Sequence, residues 1–355
     1  MKQTLKYIYQ IGVFVLIVVA VSGLAIPTSA ATKKAVTKTV SKAVVTSVTL
    51  KKPIVYVPRK LDGLMVAKGT ENAWPVAVMI DNHTSARPQS GLQNASVVYE
   101  TLAEGGIPRF MAVYADKNVK EVGPVRSTRP YFVREAAEIN AALAHAGGSP
   151  DGLKLLTKLR MPNFEGLKLF AKYFYRSHSG GVHGLYTTMG KMYDAISHSK
   201  LAKVKPLYPS WLYGDGAALS QRPNGKHGAT IDLGYGKSYD IEYRYDKKLN
   251  AFWRFTGGRA HMDRTSKKQI SVRNVVIMNV SKEKVLDRKG RLEVNVVGKG
   301  TGYVLNNGKA TKILWSKKGD RGRTIFTDTS KQEITFNRGN TWVTIVPLGH
   351  KYKVY

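Results

Sequence analysis

Asp81, Asn82, His83 and Arg87 stand close together in the stretch PVAVMIDNHTSARPQSGL, directly after an apolar run. Further along come Glu100 and Glu104, Arg109, the segment Arg126-Ser127-Thr128-Arg129, His145, and the loop YRSHSGGVHG with His178 and His183. Two carboxyl groups near one cleft permit glycoside cleavage, in which one of them protonates the leaving oxygen. Glu104 or Asp81 is the candidate general acid, with Glu100 a third carboxyl in reach. Arg126 and Arg129, on either side of Ser127 where a helix begins, suit an anionic or acetamido group. Without catalysis the set would still bind a polar ligand, through Asn82, His83, Arg87, Glu100, Arg109, Arg126, Ser127, Arg129, His145 and His183.

Each group also has a plainer use. Asp81 and Asn82 can close a side-chain turn, Glu104 can pair with Arg109, and single histidines commonly satisfy local hydrogen bonds. Other chemistries fit less well. HAGGSP does not match the nucleophile turn G-x-S-x-G of serine hydrolases. His178 and His183 are five apart in a loop rather than at a helical metal-binding spacing. GKGTG (298–302) has no following helix and reads as a turn, not a dinucleotide loop. No cofactor and no metal is implied.

The elements that must position these groups read as follows. WPVAVMI is a continuous apolar run, as in a strand covered on both faces. ASVVYETLAEGG and IPRFMAVYAD follow as strands joined at Gly105-Gly106, so Glu100 and Glu104, four apart, are expected on one face. RPYFVREAAEIN has helical spacing with Pro130 in the first turn. AALAHAGG is a strand, Ser149-Pro150 opens a second helix, and TMGKMYDAISHS is a third. Polar groups at such strand ends converge on a crevice in open α/β sheets. After Pro206, short alternating segments such as KSYDIEYRYD, AFWRFTGG and TWVTIVPL are separated by turns such as Asn307-Gly308. The expected fold is α+β: an N-terminal α/β sandwich domain over 61–205, then a β-rich, mainly antiparallel domain over 206–355.

The N-terminus places this fold outside the cytoplasm. Lys2 and Lys6 precede the apolar run IGVFVLIVVAVSGLAI, followed by Pro27 and TSAAT, which is the grammar of an export signal over 1–31 cleaved after Ala30 or Ala31. An uncleaved anchor is the alternative, since the run approaches spanning length. Residues 32–60, rich in Lys, Thr, Val and Ser, read as an extended basic tether. The chain has no cysteine, which leaves no disulfide, no thiolate metal site and no residue for lipoprotein-type anchoring. The formal charge is +32, and residues 201–355 carry 30 of the 56 Lys and Arg against 12 acids. Outside the membrane, anionic wall polymers and lipid head groups are the expected counterparts of such a field.

The long motifs PVAVMIDNHTSARPQSGLQNASVVYETLAEGGIPRFMAVYAD, VGPVRSTRPYFV and HAGGSP resemble the N-terminal half of the YerB-like family of bacterial extracytoplasmic proteins. YDIEYRYD, FWRFTGGRAHMDRTSKKQISVRNVVIMNV and TWVTIVP resemble its C-terminal half, so the likeness spans Leu61 to Pro347. It implies two adjoining domains on the outer face of the membrane, usually lipid-anchored, and it assigns no biochemical activity. Two departures are visible: the missing cysteine, and His183-Gly184 where the family pattern tends to read His-Asn. The resulting expectation is an extracytoplasmic protein that binds a polar ligand, a cell-wall glycan or anionic envelope polymer, in the N-terminal crevice. A glycan-cleaving hydrolase is the alternative. A membrane surface is a further contact through the N-terminal segment, nucleic acid is not the expected partner, and the oligomeric state is left open.

Overall fold

Apolar strands covered on both sides set the middle of the molecule. In the computed structural model, which describes residues 53–355 apart from 179, 234 and 235, VAVMI forms strand β1 (Val76–Ile80) with every residue buried. The export signal and most of the tether lie outside the described residues. The last residues of that segment are paired with the fold: Tyr56–Pro58 runs antiparallel to Met65–Ala67, and Arg59 forms an ion pair with Asp62.

The N-terminal elements follow the local signals. Strands β2 (Val97–Leu102) and β3 (Pro108–Tyr114) are followed in chain order by helix α1 (Pro130–Glu138), β4 (Ala142–His145), α2 (Pro150–Lys158) and β5 (Asn163–Glu165). Pro130 and Pro150 occupy first turns, and the Ser149 hydroxyl accepts from Gly152 N at 3.2 Å, which satisfies an otherwise orphaned helix-end donor. Helix α3 (Met189–Ser197) is capped the same way by Thr188. These three are the α-helices of the described residues, and the fold is mostly β.

Later strands complete two sheets. They are β6 (Gly228–Asp232), β7 (Ile241–Asp246), β8 (Ala251–Thr256), β9 (Arg259–Ala260), β10 (Ser271–Val272) and β11 (Asn274–Val280). Then come β12 (Gly298–Asn306), β13 (Lys309–Lys317), β14 (Ile325–Asp328), β15 (Thr341–Pro347) and β16 (Lys351–Val354). The main sheet has ten strands in the order β14-β13-β12-β11-β15-β2-β3-β1-β4-β5, five from each half of the chain. Its seam is β15, parallel both to β11 and to β2, with Thr341 beside Val97 and Thr344 beside Glu100. Most pairings of the C-terminal half are antiparallel, as expected, and β15 on β11 is a parallel exception at its centre. All seven β15 residues are buried, the pattern of an internal strand rather than of a half-exposed one. The second sheet runs β9-β8-β7-β6-β16, with β10 on β8.

Successive residues of β2 report the two covers of the main sheet. Tyr99 faces the side of α1, whose Glu135 and Glu138 act on it electrostatically, whereas Glu100 meets Arg254 of the second sheet. Turn chemistry sets the β12–β13 hairpin: Asn307 and Gly308 both take positive φ (51° and 72°), as a tight two-residue turn requires. GKGTG is not a turn. It opens β12, because the Trp315 ring lies across Gly300, where a Cβ would sit 2.5 Å from Trp315 Nε1.

On the helical side a cation from one half meets two carboxylates of the other. Fully buried Lys317 donates to Glu135 at 3.0 Å and Glu138 at 2.8 Å, and Glu138 also accepts from Thr324 N and Oγ1. Burial pushes the Glu135 carboxyl up to about 7, against the pull of Lys317. Burial acts against the Lys317 ammonium too, but the two carboxylates outweigh it and raise its pKa. A carboxyl raised on folding stabilises fully below its ordinary value of 4.5, and that contribution is lost as pH climbs towards about 7. Urea unfolding should therefore show Glu135→Gln losing less stability than the wild type between pH 5 and pH 8. Lys317→Met, which leaves two facing carboxyls in the core, should cost about 3–5 kcal/mol at pH 7.

Candidate functional site

The register of the main sheet gathers polar groups at one end. Ile80 of β1 lies beside Phe110 of β3, so Asp81 and Arg109 come next to each other just beyond it. Asp81 N donates to Pro124 O and Arg126 N to Met79 O, which draws the 123–129 segment alongside. β4, parallel to β1, ends at His145 at the same end of the sheet.

Asp81 is the hub of this rim. One carboxylate oxygen accepts from His83 N at 2.9 Å, so the side-chain turn is real. The other forms an ion pair with Arg126, 3.1 Å from its Nε, and lies 2.8 Å from His183 Nδ1. The Asp81 side chain is 4% exposed, against 30% for Arg126 and 21% for His183. The carboxylate is thus an inner anchor and the basic groups face outwards. The His83 ring stacks on His183 with centroids 4.9 Å apart and planes 16° from parallel.

Glu104 does not share a strand face with Glu100. β2 stops at Leu102, and Gly105 and Gly106, both at positive φ, carry Glu104 into a single tight helical turn. There its carboxylate is held by Arg129 and by Arg109 at 3.4 Å. Arg109 also donates to Ser127 O at 3.0 Å, and Ser127 Oγ donates to Ala146 O. Burial, then the neighbouring Arg129, push the Arg109 guanidinium down to about 10. Both candidate acids are thus paired with cations, Asp81 nearly buried and Glu104 21% exposed.

Two predicted members lie elsewhere. His145 is buried, donates from Nδ1 to Gly147 O at 2.8 Å, and lines a separate cleft of about 570 Å³ formed with Leu153, Asn163 and Glu165. Burial lowers its pKa. Glu100 is sealed between the sheets, where Arg254 Nη2 donates to it at 2.8 Å. Burial raises the Glu100 carboxyl above its usual range even beside that guanidinium.

Sequence reading missed the network around Glu100. Arg254 Nε donates to His261 Nδ1 at 3.0 Å and Arg254 Nη1 to Tyr243 OH at 2.5 Å. Burial, then Arg254 and Arg87, hold the His261 pKa well below its ordinary value, so the ring is neutral. With Nδ1 accepting, Nε2 donates to Gln89 Oε1 at 2.9 Å. The Gln89 amide donates in turn to Asp81 O and Asn82 Oδ1, and Asn82 Oδ1 also accepts from Arg87 Nε. The signal lay in strand phase: Phe252, Arg254 and Thr256 share the buried face of β8, an inward position for a charged residue.

Comparison with known proteins fits this architecture. Residues 61–202 match the N-terminal domain, and residues 231–343 the C-terminal domain, of a family described as protein of unknown function (DUF3048). YerB of Bacillus subtilis (strain 168), described as a candidate lipoprotein, is 32% identical over 292 residues, covering 81% of this chain and 85% of YerB. A crystal structure of the Bacillus subtilis YerB protein matches with a TM-score of 0.74 at 29% identity, over 84% of this chain and 99% of that one. The chain belongs to the YerB-like DUF3048 family.

Because Asp81 holds Arg126, His183 and the His83 backbone at once, Asp81→Asn should destabilise well beyond a surface change. The expected loss is about 2–3 kcal/mol in urea unfolding, and a loss under 0.5 kcal/mol would remove Asp81 from the hub.

Proposed function

We propose that this member of the YerB-like family is an extracytoplasmic envelope protein that binds, without cleaving it, a polar ligand of the cell wall, a glycan or an anionic polymer. The observation that carries the reading is the polarity of the rim. The Asp81 carboxylate is taken up inside by Arg126 and His183, which remain outward, and the Glu104 carboxylate is paired with Arg109 and Arg129. Such an edge attracts anionic and hydroxyl-rich partners rather than donating a proton from an acid. The excess of Lys and Arg over 201–355 adds a long-range attraction to polyanions, which salt weakens. The export signal and the naming of YerB as a candidate lipoprotein support a place outside the cytoplasm.

The hydrolase alternative, with Glu104 or Asp81 as acid, requires one of these ion pairs to open on binding. Incubating the purified protein with peptidoglycan sacculi separates the readings. The expected result is sedimentation with the sacculi, no fragment released by mass spectrometry, and binding about tenfold weaker for Arg126→Ala. Fragments released by the wild type and not by Glu104→Gln would establish the hydrolase instead.

A further inference from the structure

A cleft of about 630 Å³ opens between the loop after β1 and the β8–β9 hairpin. Among the described residues no Asp or Glu lines it. Arg87 enters from the loop, Arg259 from the hairpin, and the other polar side chains are those of Thr84, Ser238, Thr256 and His261.

Arg87 is held entirely by neutral groups. Nε donates to Asn82 Oδ1 at 3.1 Å, Nη1 to Ser238 O at 2.7 Å, and the guanidinium lies over the Tyr239 ring at 5.0 Å. Its Nη2 is buried with no hydrogen-bond partner among the described residues. Burial lowers the Arg87 pKa. The half-buried guanidinium thus has its Nε and Nη1 engaged by neutral acceptors, and no carboxylate pairs with it among the described residues. Arg259, on the other side of the cleft, is exposed. His261 ties the cleft to the buried network, so its shape depends on how the two sheets meet.

We propose that this cleft is an anion subsite, in which the Arg87 guanidinium and Arg259 receive an oxyanion, phosphate or carboxylate, carried on a polyhydroxylated ligand. Thr84, Ser238 and Thr256 then meet the ligand's hydroxyl groups. The volume suits a ligand of roughly one or two sugar or polyol units. The site deepens the envelope-binding reading and rests on it for the ligand's source, while its chemistry stands on the cleft itself.

Calorimetric titration of the full chain with glycerol 3-phosphate, glucuronate and, as a neutral control, glucose tests it. At least one charged ligand should bind while glucose does not, and which one binds distinguishes phosphate from carboxylate. Arg259→Ala, a change at an exposed side chain, should weaken that binding about tenfold, and Arg87→Met should weaken it further. Should Arg87→Met fail to fold, Arg259→Ala alone decides. Charged ligands binding no better than glucose, or Arg259→Ala binding like the wild type, would overturn the subsite. Sacculi bound normally in that case would leave the envelope reading intact. Glycerol 3-phosphate bound without any affinity for sacculi would uphold the subsite and defeat the envelope reading.

Discussion

A guanidinium with no contact with water holds the two halves of this protein together. Arg254 comes from the second sheet and Glu100 from the centre of the main sheet, 154 positions away in the chain, and both side chains are essentially unexposed. Stripping either charge of water costs several kcal/mol, which is recovered only where geometry and further hydrogen bonds are good. The guanidinium side meets this: Tyr243 and His261 occupy two more edges and the Trp342 ring lies 4.4 Å away, while the second Glu100 oxygen is buried with no hydrogen-bond partner among the described residues. Lys317 does the same on the helical face with Glu135 and Glu138. In both cases the cation belongs to the basic C-terminal half and the carboxylates to the N-terminal half. Part of the charge asymmetry is therefore spent inside, as paired anchors on each face of a shared sheet.

The same network reaches the rim. His261 passes from Arg254 to Gln89, and Gln89 fixes the backbone of Asp81 and the amide of Asn82. The loop that presents His83 and Arg87 is thereby braced by the second sheet, so the outward basic groups of the rim and the Arg87 cleft share one support. A binding surface on such a support needs little ordering when a ligand arrives, which favours affinity.

Much of the local structure was legible in the residues. VAVMI, the Pro130 and Ser149-Pro150 helix starts and the Asn307-Gly308 turn each carry a local rule, and each forms the element it signals. Asp81, Arg109, Arg126, Ser127 and Glu104 do meet at the end of the strands, because register and strand direction are encoded by nearby turns. Long-range partners were harder. Nothing near Glu100 announces Arg254, and Gly105-Gly106 moves Glu104 off the strand by a backbone choice that residue spacing does not reveal. The parallel pairing of β15 with β2 joins segments far apart, and TWVTIVPL reads locally as an alternating strand that does not announce it.

A double-mutant cycle on Arg254→Met and Glu100→Gln, read by urea unfolding, tests the central claim most directly. If the pair clamps the sheets, each single change should cost about 3–5 kcal/mol because it strands a buried charged or polar partner. The double variant should then cost at least 1 kcal/mol less than the sum, a coupling expected only for groups in contact. Costs that add within about 0.5 kcal/mol would mean the two side chains stabilise the fold independently, and the clamp would be contradicted.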